Sequence, residues 1–249
     1  MTTSFLSDQT REVVLGGLLG DGSLRIHHPY RNARYSFRHS IAQQDYFFWK
    51  VKLLEEVSST ACWWRQEKNG LGGVMLRYQS VALPALTELY RLTHEGNKLT
   101  IRRRWLNRLS PLSLAIWWLD DGSIVTNGRR GVFCTDPFPE AEVKLLQRYL
   151  LVVWNIRTTV GKISRIRDGI ERSYFRLWIR SSEELIKLFR IILPFVKAPS
   201  MLPKVMLLYR DSELQQRWIS EVSKATGFPE DIVTRYALEK KSRWKNFRK

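Results

Sequence analysis

Residues 113–123 read Ser-Leu-Ala-Ile-Trp-Trp-Leu-Asp-Asp-Gly-Ser, an apolar helical run that stops abruptly in two acids and a glycine. About a hundred residues earlier, Val14-Leu15-Gly16-Gly17-Leu18-Leu19-Gly20-Asp21-Gly22-Ser23 closes in the same way. Such a repeat constrains the fold more than any local pattern, because it implies two copies of one structural unit. A helix that is hydrophobic nearly all round must be buried, and the simplest burial for two such helices is against each other. Their Asp-Gly ends then meet.

An acid at the end of a helix lies beside the negative pole of the macrodipole and the unsatisfied carbonyls, so stability does not favour Asp21 or Asp121 there. Taken singly, each Asp-Gly reads as a turn after a helix, glycine being the common residue at that point. Two copies at matched places in two half-chains shift the balance toward function. Carboxylates crowded at two negative poles are relieved by a divalent cation, and hard cations such as magnesium favour carboxylate oxygens.

The repeated motif resembles that of the LAGLIDADG homing endonucleases, in the version that carries two motifs on one chain. Laid on the nine-letter pattern, residues 14–22 and 114–122 put Asp21 and Asp121 at the eighth, catalytic position. In similar two-motif members a basic residue closes each half, and Lys98 and Lys204 fall where those lysines stand. The resemblance spans roughly residues 10–220. It implies that Asp21 and Asp121 each hold Mg2+ or Mn2+, one cut per strand, while Lys98 and Lys204 order solvent or offset charge at the phosphate. The Asp120 carboxylate and the Gly20 carbonyl beside the acids are expected to help hold metal. Gly16 and Gly20 in the first copy are matched in the second by Ile116 and Asp120, so exact symmetry of the helix contact is not expected.

Between the motifs the periodicity changes from helical to two. In residues 33–41, Arg34, Ser36, Arg38 and Ser40 alternate with Tyr35, Phe37, His39 and Ile41, as in a half-buried strand, and residues 23–28, with Arg25, supply a partner. Residues 44–57 predict a helix with Phe47, Phe48, Val51, Leu54 and Glu55 in phase. Strands are expected at 61–67 and 73–79, around the turn cluster at residues 68–72, then a helix at 83–93. The second half repeats this order: strands at 123–126 and 131–135, a helix at 139–153, and strands at 158–167 and 172–180 about an Asp168-Gly169 hairpin turn. A last helix opens at the capping residues Ser181-Ser182-Glu183-Glu184.

The expected fold is therefore α+β, with two pseudo-symmetric αββαββα halves (residues 1–105 and 106–222), each contributing an antiparallel sheet, joined at a two-helix interface. A basic extension follows at 223–249 and reads as a solvated tail, with Trp244 hinting at docking. Arginines recur on the strands. Arg25, Arg34, Arg38, Arg65, Arg77, Gln79, Lys162, Arg165, Arg172, Tyr174, Arg176 and Arg180 are the expected DNA contacts, because a strand pair fits the major groove and arginine can bond guanine there. The resemblance implies the same surface, a saddle laid along the duplex.

Composition supports a polyanionic partner. The 249 residues carry a formal net charge of +17, far beyond what solubility requires. Ten tryptophans, nine tyrosines and eleven phenylalanines argue against disorder. Cys62 and Cys134 show no metal spacing, and His27, His28 and His39 fit no zinc pattern. Neither a phosphate loop nor a nucleophile elbow is present. The reading is a site-specific endonuclease acting on double-stranded DNA as a monomer. The same fold without cleavage, as an intron RNA splicing cofactor or a DNA-binding regulator, is the alternative. No membrane segment is expected, and an intracellular, soluble setting is expected, an organelle (mitochondrion or chloroplast) or a prokaryotic cytoplasm being left open.

Overall fold

A computed structural model describes residues 5–67, 73–125 and 128–244. The expected turn cluster at residues 68–72, Thr126, Asn127 and the tail residues Lys245, Arg248 and Lys249 lie outside the described residues. The chain divides into two compact units, residues 1–120 and 121–249. Among the described residues no helix is long and apolar enough to cross a membrane.

The first unit opens with α1 (Asp8–Gly17), started by Ser7, whose hydroxyl accepts from the Thr10 amide at 3.2 Å. β1 (Ser23–Arg25) and β2 (Arg34–Ser40) follow, then α2 (Gln44–Leu53), β3 (Trp63–Gln66), β4 (Met75–Gln79) and α3 (Pro84–Thr93). A short hairpin of β5 (His94–Glu95) and β6 (Lys98–Leu99) leads through α4 (Arg103–Leu106) to α5 (Pro111–Asp121), the second motif helix. The four-stranded sheet is antiparallel in the order β1-β2-β4-β3.

Period-two alternation decides which face of this sheet is covered. Tyr35, Phe37 and His39 on β2 and Leu76 and Tyr78 on β4 are buried, while Arg38 is exposed. Helix α2 lays Tyr46 and Phe47 over that face, with Phe37 stacked 4.9 Å from Tyr78 and tilted 5.2 Å from Phe47. The helix is rotated from the expected phase. Its inward residues are Tyr46, Phe47, Lys50 and Leu54, whereas Phe48 and Glu55 are exposed. A lysine takes a core position because a buried acid meets it there.

The two motif helices touch at their backbones. A Cβ added to Gly16 would lie 2.4 Å from the Ser113 carbonyl oxygen, and one on Gly20 2.5 Å from the Asp120 Cβ. The Ser113 hydroxyl donates to the Glu12 carbonyl at 2.8 Å. The small residue opposite Gly16 is thus Ser113, which the residue-for-residue overlay of the motifs did not show. The motifs also end differently: α1 stops at Gly17 and tightens, the amides of Gly20 and Gly22 both donating to the Gly17 carbonyl, but α5 stays helical through Asp121.

The second unit repeats the plan. β7 (Gly122–Val125), β8 (Arg130–Phe133), α6 (Glu140–Trp154), β9 (Thr159–Arg167), β10 (Ile170–Ile179) and α7 (Ser182–Ile192) form a sheet ordered β7-β8-β10-β9 with its helices. First, second, fourth, third is the strand order in both units. Asp168 and Gly169 hold φ of 53° and 74°, the left-handed pair that a tight hairpin needs to match strand twist. The Ser181 hydroxyl accepts from the Glu184 amide at 3.2 Å, capping α7 as its sequence predicts.

One expectation fails here. Beyond the short helix α8 (Leu202–Val205), the chain builds α9 (Ser212–Thr226) and, after a left-handed Gly227, α10 (Glu230–Arg243). Trp218, Ile219, Val222, Val233 and Ala237 are buried. Residues 223–226 and 230–243 are therefore packed helix and not a solvated tail; the apolar stripe lies beneath a high density of lysine and arginine.

Candidate catalytic site and nucleic-acid face

Asp21 lies in the turn after α1, with its side chain 41% exposed, while the Asp120 carboxylate near the end of α5 is fully buried. Between them stands His39 of β2, its Nδ1 3.6 Å from Asp21 Oδ2 and its Nε2 3.7 Å from Asp120 Oδ1. One ligand atom from each of Asp21, His39 and Asp120 falls within a 4.8 Å group, a geometry that could hold a metal ion.

Asp120 is already compensated. The Lys50 ammonium donates to its two oxygens at 3.0 and 2.9 Å, and the Tyr46 hydroxyl donates at 2.8 Å. Burial pushes the Asp120 carboxyl up, yet Lys50, His39 and those hydrogen bonds outweigh it and hold it below its ordinary value. Burial, then Asp120, pushes the Tyr46 hydroxyl well up, so it remains a donor. Lys50 also lies 3.3 Å from His39 Nε2. Since an ammonium can only donate, that nitrogen accepts, and the imidazole proton belongs on Nδ1, toward Asp21. Any cation drawing on the Asp120 side chain would have to displace Lys50, which leaves Asp21, more open, as the outward-facing oxygen donor. The Gly20 position is shaped by the same crowding, its missing side chain making room for Asp120.

The two lysines take matching places. Exposed Lys98 borders a groove with Gly22, Ser23 and Arg25, the strand that follows Asp21. Half-buried Lys204 on α8 borders a groove with Ser123 and Ile124, the strand that follows Asp121. In each unit a lysine thus flanks the strand that follows the motif acid. The Asp121 carbonyl accepts from the Cys134 amide at 3.0 Å, tying that acid to the end of β8.

The open faces of both sheets are arginine-rich in a way that register makes explicit. Arg25 stands directly across from Arg34, Arg38 from Arg77, and Arg172 from Arg165. Like charges directly opposite on a sheet are destabilising, so three such pairs point to an external polyanion. In the first unit a groove runs from Asp21 past Arg25 and Ser36 to Arg38, Trp64 and Arg77, linking acid and arginines. Arg34 donates to Gln79 at 3.3 Å and lies 4.1 Å over the Tyr30 ring. Tyr174, Arg176 and Arg172 share the open face of β10, and Arg180 just beyond donates to Thr159 at 2.9 Å.

Two expected contacts sit elsewhere. Arg65 pairs with buried Leu76 and Lys162 with Phe175, so both point to the opposite side from the arginine pairs; each lies on the strand at the sheet edge, where a charge can reach water on either side. Arg176 is on the expected face but engaged: Nε and a terminal nitrogen both reach the Asp136 carboxylate at 2.6 Å, and Arg165 lies 3.7 Å from the same acid. No motif spacing in the sequence marks Lys50 or Tyr46, and His39 fits no zinc pattern. The available signal was Lys50 itself, in step with Phe47 and Leu54 on an apolar helix face.

Comparison with known proteins agrees with this geometry. The profile of the LAGLIDADG DNA endonuclease family matches residues 11–185. A protein named RecA from Mycobacterium shimoidei is 31% identical over 218 residues, covering 82% of this chain and 48% of that protein; the chain spans about half the length of such relatives. DNA endonuclease I-ChuI from Chlamydomonas applanata is 25% identical over 179 residues, covering 66% of this chain and 81% of that protein. Among solved structures, the homing endonuclease I-WcaI bound to its DNA recognition sequence superposes with a TM-score of 0.68 at 20% identity, covering 83% of this chain and 89% of the other, a likeness of fold. With its paired acid-glycine motifs, its two sheets of matching strand order and a profile match over most of its length, the chain belongs to the LAGLIDADG DNA endonuclease family.

Proposed function

We propose that this chain is a metal-dependent homing endonuclease that recognises a long asymmetric DNA site and cuts both strands. The observation that carries the reading is the repeated arrangement of acid, following strand and flanking lysine: Asp21 with Lys98 in one unit, Asp121 with Lys204 in the other. I-ChuI, named a DNA endonuclease, and the DNA-bound I-WcaI fold support it.

Asp21 and Asp121 would hold the divalent ions, with the Gly20 carbonyl beside the first and Asp120 contributing mainly by charge. Carboxylate and carbonyl oxygens suit Mg2+ or Mn2+. When bound, such an ion makes water a stronger nucleophile near neutral pH and stabilises the departing oxygen. The protein groups then position the reactants. Lys98 and Lys204 meet charge developing at each phosphate, His39 turns its Nδ1 proton toward Asp21 and steadies that carboxylate, and the arginine pairs dock the duplex.

Asp21→Asn and Asp121→Asn provide the test. Each protein is expected to bind the target while leaving at most a nick, because one strand loses its ion. Full double-strand cleavage by Asp121→Asn would remove the assignment. Selection of cleaved products from a randomised duplex library with magnesium supplies the target.

A further inference from the structure

The Lys204 segment is held by an unusual number of side chains that the catalytic reading does not use. Helix α8 has only four residues, and Pro203 deprives it of an amide donor. Helices this short leave their carbonyls without intrahelical partners. Here those carbonyls are taken one after another by the C-terminal helices. Lys240 of α10 donates to the carbonyls of Pro203 at 2.6 Å and Met206 at 2.9 Å. From α9, the Trp218 indole donates to Val205 at 3.2 Å and Gln215 to Leu207 at 3.1 Å. The carbonyls of residues 203, 205, 206 and 207 are thus all bound by side chains from beyond residue 211.

Lys240 is the pin that takes two of these carbonyls, one on either side of Val205. Its ammonium lies 5.7 Å from the Trp244 ring centroid and borders the same groove as Lys204 and Ser123. Burial pushes its amine down to about 7. A lysine is an expensive way to fill such a place when a methionine would pack there, which suggests that its two donated bonds are what the place requires.

We propose that α9 and α10 form a clamp that positions Lys204, with Lys240 as the positioning residue at its centre. The proposal rests on the reading of Lys204 as the lysine that serves one scissile phosphate. Lys240 reaches no substrate itself; it fixes the backbone on either side of the residue that does. Reaction rates fall steeply with small displacements of a catalytic group, on the order of a hundredfold for about 1 Å, so a loosened α8 should be felt in cleavage before it is felt in binding.

The test uses the full chain and a duplex labelled separately on each strand, with single-turnover rates and DNA affinity measured for Lys204→Ala, Lys240→Met, the double variant and Trp218→Phe. Lys204→Ala is expected to slow one strand selectively. Lys240→Met should slow that same strand by about tenfold or more, with affinity unchanged, and should add nothing when Lys204 is already absent, as expected of a residue acting only through it. Trp218→Phe, which keeps the ring but loses the donor, should act in the same direction more weakly. Wild-type rates in Lys240→Met, equal slowing of both strands, or a further loss in the double variant would overturn the clamp. If Lys204→Ala cleaves normally, the catalytic reading of Lys204 fails instead. Amide exchange at residues 204–208 then decides the clamp: faster exchange in Lys240→Met retains it as a structural device, and unchanged exchange removes it.

Discussion

Lys50 and Asp120 form an ion pair with both side chains fully buried. Removing one partner of such a pair strands a charge away from water and costs about 3–5 kcal/mol, whereas replacing both by apolar groups is often neutral. Lys50→Met is therefore expected to lower the unfolding free energy by that order in denaturant titration, and Lys50→Met with Asp120→Leu to recover most of it; a loss under about 1 kcal/mol in the single variant would contradict the pairing. The pairing of these two residues is not visible in the sequence. Asp21 and Asp121 stand out as candidates from the sequence alone, because an acid repeated at two adverse helix ends needs no three-dimensional information to be noticed. Lys50 and His39 reach Asp120 across 70 residues or more, beyond any rule of local spacing. Arg172 offers a residue-scale test of recognition, since it is exposed and faces another arginine while Arg176 is tied to Asp136. Arg172→Ala is expected to cost about 1–3 kcal/mol in binding and to relax preference at one or two base pairs. Uniform weakening over a panel of single-base site variants would assign it to phosphate instead.

At the scale of elements, strands and hairpins were legible because their signals are local. The alternation in β2 and β4 and the Asp168-Gly169 turn stand in the structure as the pattern predicts. What misled was composition: lysines and arginines on the outer side of α10 concealed a packed helix. That helix carries the chain's clearest pH signature. The Lys240 amine has a pKa of about 7 in the folded chain and about 10.4 when unfolded. Between those values the unfolded chain holds the extra proton, so this group makes stability rise as pH increases from about 7 to about 10. Thermal melts at pH 7 and pH 9 are expected to show a smaller rise for Lys240→Met than for the parent chain, and identical slopes would place the amine in water.

At the scale of the whole molecule, the chain already contains two copies of the unit, each with its own acid, lysine and arginine face, so one chain should suffice for one duplex. Sedimentation of the DNA complex is expected to give a single protein chain per site, and two chains would refute this. With a net charge of +17 and three arginine pairs facing outward, affinity should also fall steeply with salt, by roughly one logarithmic unit per logarithmic unit of salt for each phosphate neutralised.

The buried pair also bears on how such a chain could be recombined. Lys50 and Asp120 lie in the same compact unit, residues 1–120, but Asp120 belongs to the second motif, so a cut placed ahead of that motif would part the ion pair. A hybrid that grafts a foreign second repeat after residue 105 inherits Lys50 without its acid unless the graft carries aspartate at the matching place. Compatibility between donors would then be set by a single inherited charge, ahead of any likeness in their DNA-reading surfaces.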